Sequence, residues 1–322
     1  MGSTQSIGQD QGALVGTEGL ASPVRVAHPG VSPGHSQTPT HTTVPLWLWW
    51  NILSLDAPAV ALAWALLFAR VGKVHVPAAT IGVLVLAVWL IYLADRLLDG
   101  LTTTDKNILR ERHRFCARHR VGVCAAAAFG AALSSWLAYR GLNAADVKAG
   151  LLLVGLVAAY MLCVHLGGPV VSRIFPKEAA VAVLFAAGTA LPVWSQSKAI
   201  SWSGLALWAL FAVICTLNCV AIESWENQVL ERGSARPSHA ISQITRRVSS
   251  RVGTFAALVV AVSLPVFFSF PTEHPAIAAL AGVAVLILLL NRFRKRLSGN
   301  ALRVLADAAL LAPAIIALVF RR

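Results

Sequence analysis

From Trp47 onward the chain alternates long apolar runs with short polar segments that are mostly basic. Nine runs have about the length that carries a helix across a ~30 Å hydrocarbon layer. They cover roughly residues 47–70, 76–95, 121–139, 149–166, 179–195, 202–222, 252–270, 276–291 and 304–320. The pattern predicts an all-α fold, a polytopic membrane bundle of about nine transmembrane helices. Pro58, Pro77, Pro192, Pro265 and Pro313 fall inside the runs, where neighbouring helices can satisfy the backbone groups that a proline releases. Residues 1 to about 44 differ: they are rich in Gly, Ser, Thr, Pro, His and Gln, nearly uncharged and without periodicity. Such a segment lacks the apolar surface needed to fold and is expected to be a disordered tail ahead of a membrane domain over 45–322. It has no apolar stretch near its start, so no cleavable signal peptide is expected.

Composition agrees with the run pattern. The 322 residues are 57% hydrophobic and 13% charged, with a mean hydropathy of +0.69, whereas soluble domains carry about 25% charged residues. The net charge of +13 does not point to nucleic acid, because the Lys and Arg sit in short loops between apolar runs rather than on one soluble face. Membrane lipids are the expected surroundings, and no nucleic-acid partner is expected. Cys116, Cys124, Cys163, Cys215 and Cys219 contain no CxxC pair and lie mostly in apolar runs, so neither a disulfide nor a zinc site is read from them.

Charge also predicts orientation, since cytoplasmic loops carry the Lys/Arg excess. The loops after the second, fourth, sixth and eighth runs hold 19 of the 27 basic residues, the alternate side holds seven, and Arg25 lies in the tail. This places the N-terminus in the cytoplasm and residues 96–120 and 223–251 on the cytoplasmic side. A bacterial inner (plasma) membrane is the expected location.

Two runs end in acids on that side. The second closes as Tyr92-Leu-Ala-Asp95-Arg96-Leu-Leu-Asp99-Gly100. Asp95 and Asp99 are i, i+4 and share a helical face. Two carboxylates near a helix C-terminus oppose the macrodipole, a conflict that a bound cation or an ion pair to the basic loop relieves. The sixth run closes as Asn218-Cys219-Val-Ala-Ile-Glu223-Ser-Trp-Glu226. Glu223 and Glu226 share a face, and Asn218 lies about two turns back. Two acidic helix ends on one side of the membrane, joined by basic loops, suit an anion bridged by Mg²⁺, which binds through one or two carboxylates plus phosphate oxygens. Pyrophosphate is the obvious anion, and Arg or Lys of the 96–120 loop can clamp its remaining charge.

These residues carry a resemblance to the UbiA superfamily of intramembrane prenyltransferases, which have about nine spans and Asp-rich motifs ending the second and sixth. The stretch from Tyr92 to Gly100 is similar to the second half of the first motif, NDxxDRxxDG. Lys177-Glu178, Gly188 with Leu191-Pro192, and Ser54-Leu-Asp56-Ala-Pro58 resemble further family signals, so the likeness covers about residues 50–320. Differences stand beside it. Ile91 and Tyr92 occupy the places of the Asn and Asp that open the first motif, the 112–120 segment lacks Arg-Pro-x-x-Ser-Gly, and Cys219 and Glu226 replace Asp in the second motif.

The resemblance implies a Mg²⁺-dependent enzyme that ionises a prenyl diphosphate and passes the isoprenyl group to a lipophilic acceptor of aromatic or quinone type. Asp95, Asp99 and Glu226 are the expected catalytic acids, with Asp95, Asp99, Asn218, Glu223 and Glu226 as the metal set. Arg96, Arg110, Lys177 and Asn218 are the expected diphosphate contacts, and the faces of Tyr92 and Tyr160 are placed to stabilise a carbocation. The alternative is a non-catalytic protein on the same fold, serving lipid binding or assembly, motivated by the altered motif positions.

Overall fold

A computed structural model describes residues 45–102, 111–167, 176–197, 201–232 and 247–320, all within one compact unit, Val44–Arg322. The expected N-terminal tail lies outside the described residues. Among the described residues eleven α-helices follow one another: α1 (Leu46–Ile52), α2 (Asp56–Val71), α3 (Ala78–Thr102), α4 (Glu111–Arg118), α5 (Arg120–Gly141), α6 (Ala144–Leu166), α7 (Lys177–Trp194), α8 (Trp202–Arg232), α9 (Val252–Ser269), α10 (His274–Phe293) and α11 (Gly299–Val319). Among the described residues there is no strand. Eight of the helices are long and apolar enough to cross a membrane, and α1 with α2 makes a ninth candidate, bent by 77°. The chain is an all-α membrane bundle.

Most expected runs match a helix within a few residues, and three differ for identifiable reasons. The first run is two helices, because Ser54 adopts a left-handed backbone (φ 60°) between them. The second and sixth continue past their apolar parts, to Thr102 and Arg232, since the leucines, Glu, Gln and Arg that follow are good helix formers. Asp95 therefore sits nearly two turns before the end of α3, and Glu223 and Glu226 lie within α8 rather than at the start of a loop. The dipole penalty expected for these acids fades beyond the last turn.

Side-chain contacts fix how the spans run. Asn51 reaches Asp307, Trp64 Nε1 donates to Leu310 O, and Arg70 donates to Ala317 O and Leu318 O. α2 and α11 are thus parallel neighbours. His165 meets Asp95, Arg303 meets Glu226, and Arg294 meets Gln228. The ends of α3, α6, α8 and α10 and the starts of α2, α7 and α11 accordingly gather at one polar end. Asp56, Asp95, Asp99, Glu178, Glu223, Glu226 and Asp307 all belong there, half of the chain's 14 acids.

The core lies among α2, α7, α8, α10 and α11, around Trp64, Phe68 and Phe211, with Ala276, Ala284, Ala306 and Ala314 allowing close helix approach. Small residues at contacts suit a bundle in lipid, where packing rather than water exclusion draws helices together. α5 needs glycine against α3: a Cβ at Gly130 would lie 2.9 Å from Trp89 Cζ3, and one at Gly141 would overlap Ala79 Cβ. α6 packs mainly on α7 and turns Leu151, Leu152, Val154 and Leu162 outward, a surface suited to lipid tails.

Candidate functional site

The bend before α2 organises the polar end. The last carbonyls of a helix lack intrahelical partners, and here side chains of α3 supply them. The Arg96 guanidinium donates to Asn51 O and Ile52 O, and Trp89 Nε1 donates to Leu53 O at 3.1 Å. Arg96 is buried (2% exposed), and its other terminal nitrogen lies 3.6 Å from Asp56 Oδ2. The same carboxylate oxygen accepts from Asn51 Nδ2 at 2.6 Å, and that nitrogen also stands 3.5 Å from Asp307 Oδ2. Arg96, expected at a phosphate, is thus engaged by α1 and α2.

One helical turn earlier, Tyr92 is partly buried and packs against a cluster formed by Ala57, Ala61 and Ala65 of α2 with Leu84 and Val88 of α3. Asp95 and Asp99, three and seven residues after Tyr92 on the same helix, meet His165 from the last turn of α6. One potential ligand atom from each of the three lies within 4.8 Å of the other two, with His165 Nε2 3.9 Å from Asp95 Oδ1. All three are partly exposed. Two carboxylates and an imidazole on two helices can hold a divalent cation: the carboxylates suit Mg²⁺, and the imidazole broadens the set toward Mn²⁺ and Zn²⁺.

The acids of α8 have different company. Glu226 accepts from Arg303 of α11 at 2.9 Å, and Glu223 accepts from Asn227 at 3.2 Å. Asn218 is buried (3% exposed), and its Oδ1 has no hydrogen-bond partner among the described residues. Tyr160 of α6 lies within electrostatic reach of Asp95, Asp99 and Glu178 and also of Cys219 beside Asn218. Cys219 in turn lies within electrostatic reach of Glu178, Asp307, Arg303 and Glu223. Lys177 opens α7 next to Glu178. Arg110 lies outside the described residues.

His165, Arg303 and Asp307 join this end of the bundle without having been singled out in the sequence. Arg303 and Asp307 carried a usable signal, an i, i+4 pair of opposite charges at the head of an apolar run. His165 carried only its place near the end of one. No family model, curated protein or solved structure matches the chain.

Proposed function

We propose that the protein is a Mg²⁺-dependent intramembrane prenyltransferase that takes a prenyl diphosphate and a lipophilic acceptor of aromatic or quinone type. One observation carries this reading: Asp95, Asp99 and His165 converge at the polar end of an otherwise apolar bundle, with Tyr160 within electrostatic reach both of the two acids and of Cys219, the neighbour of the buried Asn218. In this reading Asp95 and Asp99 hold the cation, with His165 as a third donor. The bound ion would supply charge neutralisation for the leaving diphosphate. Lys177 offers a cationic contact, and Asn218 offers an amide from the α8 side. The apolar helices exclude water from the isoprenyl chain, and the ring faces of Tyr92 and Tyr160 stabilise positive charge on it. We assign the polar end to the cytoplasmic face of a bacterial inner membrane, supported by the excess of basic residues in the loops on that side.

A specific observation favours the second reading, a non-catalytic lipid-binding or assembly protein. Glu226 and Arg96, both needed by the enzyme reading, are held by Arg303 and by Asp56 with the α1 carbonyls. Thermal unfolding of purified protein with Mg²⁺ and geranylgeranyl diphosphate separates the two, because a ligand that binds only the folded state raises apparent stability. The enzyme reading expects a shift that requires both components, together with diphosphate release when an acceptor is added. No shift at millimolar Mg²⁺ and excess diphosphate would favour the non-catalytic reading.

A further inference from the structure

α1 is set across the bundle rather than through it. Its seven residues make a helix about 10 Å long, and the 77° bend before α2 leaves it advancing only about 2 Å along the axis of α2. It lies at the polar end, held from within by Arg96, which takes the carbonyls of Asn51 and Ile52, and by the Asn51 amide, which reaches Asp56 and Asp307. Leu48, Asn51 and Ile52 form its buried side. Leu46, Trp47 and Trp50, with Leu53 just past the helix end, fall within about 120° of one another on the other side, and their exposures run from 43% to 89%. Tryptophan rings prefer the level of lipid headgroups. A helix lying flat there buries an apolar outer face at the boundary between headgroups and acyl chains.

The neighbour of that face says which lipid it suits. Trp49 packs edge-on against Phe115 of α4 with ring centroids 5.6 Å apart, and the Phe115 ring lies 4.7 Å from that of His119. Cys116 is buried with Leu93 of α3 and Val123 of α5, so α4 is fixed between α1 and α3. Arg118, His119 and Arg120, at the turn from α4 to α5, are exposed. Neither arginine has an ion-pair partner among the described residues, and residues 46–53 and 115–120 contain no acid. Two permanent positive charges beside an outward apolar face match a molecule with a phosphate at one end and acyl chains at the other. The planar guanidinium fork is the side chain best matched to a phosphate.

We propose that the α1–α4 corner is a binding site for an anionic glycerophospholipid, its phosphate on Arg118 and Arg120 and its acyl chains along Leu46, Trp47, Trp50 and Leu53. The site uses none of Asp95, Asp99 and His165, and it stands whether or not the chain is an enzyme. Its effect is to hold α1 against α2, α3 and α11, because the side of α1 away from the lipid carries Asn51 and the carbonyls that Arg96 takes.

The test is thermal unfolding of the full chain in dodecyl maltoside, titrated with phosphatidylglycerol or with phosphatidylcholine of the same acyl chains, without divalent ions. Phosphatidylglycerol should raise the apparent Tm saturably, at a lower mole fraction than phosphatidylcholine, and added salt should weaken the effect. Arg118→Gln with Arg120→Gln should leave the lipid-free Tm unchanged, because both side chains are exposed. It should need roughly 25-fold more phosphatidylglycerol for half the shift, since each cation near an anionic lipid surface contributes a factor of about five. Arg118→Lys with Arg120→Lys should keep most of the response, and Trp50→Ala should weaken both lipids alike. Arg140→Gln, at the far end of α5, should change nothing. Equal shifts from the two lipids would mean that the corner only sits in the bilayer, and an equal shift from glycerol 3-phosphate that the ligand is a soluble phosphate. Either overturns the proposal. So would an unchanged half-saturating phosphatidylglycerol in the double glutamine variant or in Trp50→Ala, or an equal loss in Arg140→Gln.

Discussion

The acids of α3 and those of α8 look alike as sequence, each set closing a long apolar run, yet the bundle treats them in opposite ways. Asp95 and Asp99 stand partly exposed beside His165 at the edge of the bundle, where α6 comes near. Glu226 is largely buried (13% exposed) and held by an arginine from the last span. The surroundings explain the divergence. α8 is enclosed by α7, α9, α10 and α11, so a carboxylate there must find a cation within the protein. α3 lies toward the margin, where water and ions can reach its carboxylates. Similar motifs can therefore have different jobs: the α8 acid joins helices, and the α3 acids remain accessible to a ligand.

The sharpest way to break this contrast is to remove the cation from the enclosed side. Arg303→Met leaves Glu226 buried without its guanidinium and should lower stability by about 3–5 kcal/mol, the usual range for breaking a buried pair. Arg303→Met combined with Glu226→Leu should recover most of that loss, because an apolar pair carries no desolvation penalty. Denaturant titration followed by tryptophan fluorescence measures both. A double variant as unstable as the single one would show that Glu226 is not what Arg303 serves.

On the accessible side the expectation reverses. Asp95→Asn and Asp99→Asn should each abolish the thermal shift produced by Mg²⁺ with geranylgeranyl diphosphate, while ligand-free stability changes by no more than about 0.5 kcal/mol, as at most surface positions. Loss of stability without loss of the shift would make these acids structural. Glu226→Gln links the two regions. Its amide still accepts from Arg303, so its stability loss should be smaller than that of Arg303→Met. Retention of the ligand shift in this variant would assign Glu226 to structure alone, and loss of the shift would return it to the metal set.

The spans were legible because each run of about 20 apolar residues has one stable solution in lipid, a helix with its backbone groups satisfied internally. The break at Ser54 was not, because Leu53-Ser-Leu55 reads as a continuation of the apolar run. What bends the chain there is tertiary: Arg96 and Trp89 draw the carbonyls of α1 toward α3. Asp95 and Asp99 could be selected from spacing alone, since i, i+4 fixes a shared face. Their partner His165 lies 70 positions beyond Asp95 on another helix, and no local pattern announces that α6 ends beside α3. The pairing of Glu226 with Arg303 had the same obstacle, as the two are 77 positions apart.

The smallest expected effect concerns that histidine. His165 is only slightly exposed (13%) and sits in the last turn of α6, a helix whose main packing partner is α7. His165→Gln keeps a polar side chain of similar length, so ligand-free stability should move by less than about 0.5 kcal/mol. Metal preference should move more. Imidazole is a good ligand for borderline ions and adds little for Mg²⁺, which favours carboxylate and water. Removing it should weaken Mn²⁺ binding roughly tenfold, or about 1.4 kcal/mol, while Mg²⁺ binding changes by a smaller factor. Competition of Mg²⁺ against Mn²⁺, followed by the Mn²⁺ electron paramagnetic resonance signal, reads the ratio directly in protein without substrate. If His165 only neighbours the carboxylates, the ratio stays the same in the variant, and the α3 cluster reduces to two acids at a solvated helix end.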